Sequence, residues 1–279
     1  MPGVRWHTTR PSGSMFGHLE SQPPSRFVRA SEMKTPALHE KQSSEVMSAV
    51  DRASCRASTG FLFDLDGTLV DSVYQHVLAW REALEKLGID LAVWRIHRCI
   101  GMSGGLLVNA LLREIGRRVT KEEAERLARL HGEAYVRMAS QVRVLPGATE
   151  LLGFLSNARV PWAIATSGRI ESARPMLKLL GVGPEVTVIT REKVERAKPD
   201  PDLFLAAANT LGVPVGQCVV VGDSVWDLLA ARRARALGVG LLSGGYGQDE
   251  LERAGAYRVY QDPSDLLQHL DEVGVRTGE

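Results

Sequence analysis

The chain carries a short apolar run, F-L-F-D-L at residues 61–65, which contains Asp64 and is followed by Asp66 and Gly67. Such a run predicts a buried strand whose last residues carry chemistry. Two carboxylates two positions apart lie on one side of a regular strand and repel each other unless a cation or a proton lies between them. Gly67 allows a sharp turn and a close approach of the backbone to a ligand. The stretch therefore predicts a carboxylate site at the end of a buried strand.

The pattern suits phosphoryl transfer. Asp64 is the candidate nucleophile, which attacks phosphorus and forms an aspartyl-phosphate. Mg2+ would hold Asp64 and the phosphate together and neutralise their charge. Asp66 is the candidate acid/base, which protonates the leaving oxygen and then takes a proton from water. An isolated D-x-D also occurs in surface turns and calcium loops, but the preceding apolar run and the following G-T-L-V-D-S disfavour both.

Residues 64–72, D-L-D-G-T-L-V-D-S, resemble the nucleophile motif of the haloacid dehalogenase-like (HAD) superfamily, in particular its phosphatase and phosphomutase branch. The dehalogenases lack the second acid and the phosphonate hydrolases have a small residue there, so Asp66 favours a phosphate ester. The resemblance covers residues 60–273. It implies that the backbone carbonyl of Asp66 is a further metal ligand.

The second motif of the superfamily is a Ser or Thr that hydrogen-bonds the phosphate, and Thr166 matches it. Residues 161–169 predict a strand that ends in hydroxyl groups and a glycine, where phosphate oxygens meet free backbone N–H groups. The N–H of Ser167 is expected to help. Arg169 is a candidate substrate contact at the edge of the cleft, with a solvated surface residue as the alternative.

Lys198 matches the third motif, a lysine that cancels charge on the nucleophile and the phosphate. It opens the sequence K-P-D-P-D, in which Pro199 and Pro201 stiffen the loop. The fourth motif, G-D-x-x-x-D, matches Asp223 and Asp227 after a β-branched strand. The resemblance implies that Asp223 binds Mg2+, and that Asp227 binds it through water or fixes Lys198. Compensation of helix charge is the alternative for Asp227.

Residues 72–140 predict helices and no strand. Helices are expected at 73–87, 103–116 and 120–139, two of them opened by capping boxes. The paired capping residues are Ser72 with Gln75 and Thr120 with Glu123.

Residues 71–80 are similar to the entry segment of β-phosphoglucomutase-like members, which carry a His and, four residues later, a Trp. His76 and Trp80 therefore lie one helical turn apart. His76 is a candidate substrate contact or an ordinary helix residue, and Trp80 is expected in the core. The mutase-like pattern places an Arg after the Ser of the following glycine-rich turn, to grip a second phosphate. Gly104 occupies that position here, which counts against a mutase.

Repeated strand–helix alternation elsewhere predicts a parallel sheet with helices on both faces, a Rossmann-like α/β core. An all-helical block between the first strand and this remainder predicts an inserted cap. The predicted division is an N-terminal tail (1–59), a core (60–70 and 146–273), a helical cap (71–145) and a C-terminal tail (274–279). The proline- and serine-rich N-terminal tail is expected to be disordered or loosely attached, and Met47 is a possible translation start.

Net charge, cysteine spacing and the length of apolar runs argue against several classes of protein. A formal net charge of +1 over 279 residues gives no electrostatic case for nucleic acid or an acidic membrane surface. The three cysteines, Cys55, Cys99 and Cys218, form neither a disulfide framework nor a zinc motif and suit a reducing compartment, so a cytoplasmic location is expected. No apolar run approaches the length of a membrane span.

The sequence thus predicts a Mg2+-dependent phosphatase acting on a small phosphomonoester, such as a sugar phosphate or a phosphoglycolate-like metabolite, as a monomer or homodimer. A β-phosphoglucomutase-like phosphomutase is one alternative. The other is a non-catalytic phosphate-binding or regulatory protein on the same fold. The presence of every motif residue opposes the second alternative.

Overall fold

The computed structural model describes residues 59–275. The predicted N-terminal tail, apart from Thr59, lies outside the described residues, as do Met47, Cys55 and residues 276–279. Within residues 59–275, no helix combines the length and the apolar composition that a bilayer crossing requires.

The described strands include six that form one parallel sheet, in the order β5-β4-β1-β6-β7-β8, and two that form a short antiparallel pair, β2-β3. The strands are β1 (Gly60–Phe63), β2 (Val70–Asp71), β3 (Arg143–Val144), β4 (Trp162–Ala165), β5 (Thr187–Ile189), β6 (Cys218–Gly222), β7 (Leu237–Leu241) and β8 (Ala256–Tyr260). The predicted parallel α/β fold is confirmed.

The helices of the described residues cover both faces of the sheet and fill the segment between β2 and β3. They are α1 (Val73–Glu85), α2 (Val93–His97), α3 (Gly104–Glu114), α4 (Lys121–Met138), α5 (Ala148–Asn157), α6 (Ile170–Leu179), α7 (Asp202–Leu211), α8 (Val225–Ala234), α9 (Gln248–Ala254) and α10 (Pro263–Gln268).

Strand β1 lies at the centre of the sheet and is fully buried. Its side chains alternate between two apolar clusters, with Phe61 and Phe63 in the cluster beneath α5, α6 and α10 and Leu62 in the cluster beneath α7 and α8. Phe63 pairs with Ile164 of β4 on one side and with Val221 of β6 on the other. The residues that follow these three strands therefore leave the sheet at the same edge.

Helices α1 to α4 have an apolar cluster of their own, which includes Val77, Trp80 and Leu111. The short β2-β3 pair joins the two ends of this segment, with Val70 opposite Val144. We call residues 71–145 the helical insert. The burial of Trp80 confirms its expected place in a core.

One of the two predicted capping boxes is wrong. Thr120 has the extended backbone of an N-cap, with ψ of 162°, and exchanges both hydrogen bonds with Glu123, as predicted. Ser72 has ψ of −5°, which does not direct its hydroxyl at the helix N-terminus, and its side chain makes no capping bond. Its Oγ instead donates to Oδ1 of Asp66 at 2.6 Å.

Candidate active site

Three aspartates and a lysine form a buried cluster at the carboxyl edge of the sheet. Asp64 follows β1, Asp223 follows β6, Asp227 lies in the first turn of α8, and Lys198 precedes α7. Each is at most 4% exposed. Carboxylate oxygens of the three aspartates lie within 4.8 Å of one another, an arrangement that could hold a metal ion. Carboxylate oxygens are the ligands that Mg2+ prefers, so this donor set fits that ion.

Lys198 bridges two of these carboxylates. Its Nζ donates to Oδ1 of Asp64 and lies 2.8 Å from Oδ1 of Asp227. The other oxygen of Asp227 accepts hydrogen bonds from the backbone N–H (3.1 Å) and the hydroxyl (2.5 Å) of Ser224. Asp227 therefore completes the capping box of α8, whose N-cap is Ser224, and lies beside Lys198 at the same time.

The cluster holds more negative than positive charge. Three carboxylates and one ammonium sum to −2 when all are ionised. Burial raises the pKa of Asp64 to about 7, against the attraction of Lys198, and raises the pKa of Asp223 well above its usual value. Burial opposes the charge on Lys198 too, but Asp227 and Asp64 outweigh it and raise its pKa to about 12. One divalent cation would neutralise the cluster.

Glycines make room for the aspartates. A Cβ at Gly67, where φ is +86°, would lie 2.4 Å from Oδ2 of Asp223, and a Cβ at Gly244 would lie 1.8 Å from the same atom. A Cβ at Gly222 would lie 2.3 Å from Cβ of Asp227. Side chains at these positions would displace the carboxylates. The glycine backbone therefore packs directly against Asp223 and Asp227.

Asp66 lies on the turn after Asp64, and its carboxylate is not one of the three that lie within 4.8 Å of one another. Its Oδ1 accepts from Ser72 Oγ at 2.6 Å and lies 3.1 Å from Nε2 of His76. Burial favours the neutral acid, but His76, helped by Ser72, outweighs it, so the pKa of Asp66 is lowered. The carboxylate therefore lies within reach of two hydrogen-bonding groups at the start of the insert. The metal-ligand role expected of its backbone carbonyl stays a prediction.

His131 and Tyr135, which the sequence analysis did not single out, lie against His76. Nδ1 of His76 is 3.1 Å from Nε2 of His131, and the His76 ring stacks on Tyr135 with centroids 3.9 Å apart. Burial, together with the charge of nearby His76, holds the pKa of His131 well below its usual range. The available signal was the spacing of His131 and Tyr135, which matches that of His76 and Trp80 on α1.

The turn after β4 borders the site. Thr166 is buried, and its Oγ1 accepts from the N–H of Gly168 at 2.9 Å. A Cβ at Gly168 would lie 3.8 Å from Oδ2 of Asp66, so this turn faces the acid/base candidate. Ser167 donates from its hydroxyl to the carbonyl of Gly101 in the insert, at 3.0 Å. The side chain of Arg169 is exposed, and no polar contact within residues 59–275 joins it to the carboxylates.

Residues 97–103 of the insert, which we call the docking segment, rest on the core beside the cluster. Nε2 of His97 lies 2.9 Å from the carbonyl oxygen of Gly244. The carbonyl of Arg98 accepts from Nε1 of Trp226 at 3.1 Å and from the hydroxyl of Tyr246 at 2.8 Å. Further along, the N–H of Ser103 donates to the carbonyl of Lys198 at 3.3 Å. The insert therefore meets the core at the edge of the sheet that carries the aspartates.

A carboxylate and lysine cluster at the switch point of a parallel sheet is typical of α/β enzymes, which bind their ligands at the strand ends. The family model of the haloacid dehalogenase-like hydrolases matches residues 59–235, and the chain belongs to this family. The predicted family and the predicted enzyme class, a HAD-like phosphoric monoester hydrolase, are confirmed.

Several known proteins are similar to the chain. Hexitol phosphatase A of Escherichia coli (strain K12) is 36% identical over 178 residues, 63% of this chain and 79% of that protein. The β-phosphoglucomutase of Bacillus subtilis (strain 168) is 29% identical over 215 residues, 75% of this chain and 92% of that protein. The crystal structure of a hydrolase from Pseudomonas syringae matches with a TM-score of 0.77 and 57% identity, over 78% of this chain and all of that one.

Proposed function

We propose that the protein is a Mg2+-dependent phosphatase that hydrolyses a small phosphomonoester, a sugar phosphate or a phosphoglycolate-like compound, through an aspartyl-phosphate on Asp64. The observation that carries this proposal is the buried cluster, in which Asp64 contacts Lys198 and shares a potential metal site with Asp223. The similarity to a hexitol phosphatase supports a polyol or sugar phosphate as substrate.

Asp64 and Asp223 are the residues that would hold Mg2+, with the backbone carbonyl of Asp66 as the ligand expected from the family. Asp227 has one oxygen on Lys198 and the other on Ser224, so we assign it to holding the lysine, with a water-mediated contact to the ion as its second possible role. When bound, Mg2+ supplies positive charge against the nucleophile and the phosphate.

In the first step an oxygen of Asp64 forms a bond to phosphorus while the bond from phosphorus to the leaving oxygen breaks. The protonated form of Asp66, which its lowered pKa makes the minority form at neutral pH, gives its proton to that oxygen, and the alcohol leaves. Water then attacks the phosphorus of the aspartyl-phosphate, Asp66 takes a proton from the water, and the bond to Asp64 breaks to release inorganic phosphate. Lys198, Thr166 and the N–H of Ser167 bind the phosphate oxygens, so most of the rate enhancement comes from positioning and charge neutralisation.

We propose that the helical insert acts as a cap over this site, with domain limits of 71–145 for the cap and 60–70 with 146–273 for the core. The support is the docking segment, whose backbone bonds to Lys198, Trp226 and Tyr246 of the core. A closed cap keeps bulk water from the aspartyl-phosphate, and opening releases the product. His76 reaches the site from the cap through Asp66, and Arg169 at the rim is a candidate substrate contact.

A β-phosphoglucomutase-like activity is the second candidate. His76 and Trp80 at their mutase-like spacing favour it, as does the similarity to the Bacillus subtilis enzyme. Gly104 opposes it, because glycine offers no charge to grip the second phosphate of a bisphosphorylated intermediate. A small phosphorylated metabolite as the partner, a cytoplasmic location and a monomer or homodimer stay predictions.

The test is phosphate release from a panel of sugar phosphates, hexitol phosphates, phosphoglycolate and nucleotides, with Mg2+ and with chelator. We expect release that needs Mg2+ and that falls by at least about 10⁴-fold in Asp64→Asn, which loses the nucleophile. Isomerised sugar phosphate without release would move the assignment to a mutase. Neither product from folded protein would leave the non-catalytic phosphate-binding function.

A further inference from the structure

Helices α1 and α4 of the insert face each other through two matched pairs of rings. His76 and Trp80 lie one turn apart on α1, and His131 and Tyr135 lie one turn apart on α4. The pairs interlock in opposite directions: His76 stacks on Tyr135 with centroids 3.9 Å apart and planes 3° apart, and Trp80 stacks on His131 at 4.1 Å and 15°.

A line of polar contacts runs through this stack to the acid/base candidate. Oδ1 of Asp66 lies 3.1 Å from Nε2 of His76, and Nδ1 of His76 lies 3.1 Å from Nε2 of His131. The two nitrogens of an imidazole are linked, because the hydrogen bond that one makes selects the tautomer and the ring orientation available to the other. Nδ1 of His76 can either donate to His131 or accept from it. Nε2 of His131 can take the matching role in both cases, since a neutral imidazole has one donor and one acceptor and can exchange them by changing tautomer.

Rotation of the His76 ring is restrained from two sides. Tyr135 covers the face of the ring and prevents tilting, while His131 engages its edge and distinguishes one ring flip from the other. A purely apolar neighbour would supply the first restraint and not the second. His131 itself is held on the indole of Trp80.

We propose that His131 is a positioning residue for the phosphatase reaction, which holds Nε2 of His76 on Asp66 and thereby fixes the acid/base carboxylate. The inference rests on the proposed function, since it assigns the supporting group of the same site. The position of the Asp66 carboxylate therefore depends on a residue of α4, more than 50 residues away in sequence. The position of Asp64 depends on the central strand that it follows.

Two substitutions separate the polar contact from the packing. His131→Phe keeps an aromatic ring on Trp80 and removes both nitrogens. His131→Gln gives up the ring and keeps an amide that can donate to, or accept from, Nδ1 of His76. If His131 acts through its hydrogen bond, glutamine is the better replacement, and if it acts through packing, phenylalanine is the better one.

Two substrates make the measurement specific for the acid/base group. The fastest sugar phosphate of the panel has an alkoxide leaving group that needs a proton, and p-nitrophenyl phosphate has a leaving group that departs without one. We compare kcat/KM, which reports the steps through departure of the leaving group. We expect His131→Phe to lower kcat/KM about tenfold for the sugar phosphate and less than about threefold for p-nitrophenyl phosphate, a fraction of a full general-acid contribution. His131→Gln should stay within about threefold of wild type on both.

A ¹⁵N NMR spectrum of the His76 ring gives a readout that does not depend on turnover. The Nδ1 resonance should move in His131→Phe and stay near its wild-type position in His131→Gln. Equal losses on the two substrates, no loss in the phenylalanine variant, or phenylalanine outperforming glutamine would overturn the inference. If His131→Phe does not fold, His131→Leu takes its place. A wild-type protein that releases no phosphate would instead refute the proposed function, while the NMR comparison would still test the contact.

Discussion

The proposed nucleophile, Asp64, and the acid/base candidate, Asp66, are two residues apart in sequence but are held by different parts of the molecule. Asp64 is held by the core, because it follows the central strand and contacts Lys198, which also pairs with Asp227. Asp66 is held by the insert, through Ser72 and His76. The site therefore has two halves. The core half, with Asp64, is built on the sheet, and the insert half, with Asp66, is positioned by the packing of helices α1 and α4. Changes in the first half should harm every substrate, and changes in the second should harm those that need a proton.

Apart from loss of the nucleophile in Asp64→Asn, the largest effect is expected from Lys198→Met, which leaves two buried carboxylates without their cation. We expect kcat/KM to fall by about 10³-fold, and equally for a sugar phosphate and p-nitrophenyl phosphate, because the lost interaction stabilises the transferring phosphoryl group. Lys193→Met is the matched control, since the amine of Lys193 donates to the carbonyl of Val188 at an exposed position. A loss confined to the sugar phosphate would contradict the division into two halves.

Asp66→Asn should have the next largest effect. Asparagine is nearly the same shape but cannot give or take the proton, so kcat/KM for a sugar phosphate should fall about 10²-fold or more. The fall for p-nitrophenyl phosphate should be at least tenfold smaller. Asp71→Asn, at an exposed position five residues further on, is the control and should leave both rates unchanged. Equal losses on the two substrates would assign Asp66 to the structure of the site rather than to proton transfer.

The buried aspartates of the core half should also make the melting temperature depend on pH. In the metal-free protein the pKa of Asp64 is raised by burial to about 7 from an ordinary 3.8, and that of Asp223 is raised too. Groups with raised pKa values stabilise the fold at low pH, and that contribution is lost as the pH rises through 7. His131, whose pKa is lowered, acts in the opposite direction between pH 5 and pH 7. The aspartate contribution is therefore measured against Asp64→Asn, which keeps His131: from pH 5 to pH 8 in chelator, the melting temperature of the wild type should fall by roughly 5 °C relative to that of the variant.

Mg2+ should reverse this loss, because it neutralises the ionised carboxylates. It should raise the melting temperature more at pH 8 than at pH 5, and Asp64→Asn in chelator should show a flatter dependence on pH. If the melting temperatures of the wild type and of Asp64→Asn change equally from pH 5 to pH 8 without metal, the charge on Asp64 is already compensated.

The smallest effect on activity is expected from Ser72→Ala, which removes one of two hydrogen bonds to Asp66. We expect a three- to tenfold loss of kcat/KM on a sugar phosphate, of the order of one hydrogen bond to a charged group. Thr120→Ala is the contrasting variant, since Thr120 caps α4. It should lower the free energy of unfolding by about 1 kcal/mol and leave turnover at saturating substrate unchanged. A stability loss in Ser72→Ala without an activity loss would return Ser72 to the capping role expected from sequence.

The sequence predicts best what the sheet imposes. Residues after neighbouring parallel strands must meet at one edge, so the meeting of Asp64 and Asp223 follows from the strand pattern and the motifs. Lys198 was predictable from the proline-framed motif, although its simultaneous contact with Asp64 and Asp227 needed the fold. The roles of Asp64 and Asp66 follow from their residue types, whereas the motifs that single out Lys198 and Asp223, and the roles of these two residues, were taken from the family.

The sequence predicts poorly what helix packing brings together. His131 is 55 residues from His76, and which turn of α4 faces α1 depends on the whole apolar cluster of the insert. Ser72 was predicted to cap a helix because its spacing to Gln75 fits a capping box. The turn at Gly67 brings the carboxylate of Asp66 within reach, and the backbone of Ser72 directs its hydroxyl there instead.

The docking segment has a consequence for how this enzyme could diversify. On its side of the contact, four of its six hydrogen bonds to the core use main-chain atoms, namely the carbonyls of Arg98 and Gly101 and the N–H of Ser103. The other two use the side chains of His97 and Arg98. Main-chain groups persist when side chains are replaced. Gly101 is the exception, because its φ is +95° and a Cβ there would lie 2.6 Å from Oγ of Ser224. Side chains of this segment other than those of His97, Arg98 and Gly101 can therefore be exchanged by point mutation while the docking hydrogen bonds are preserved.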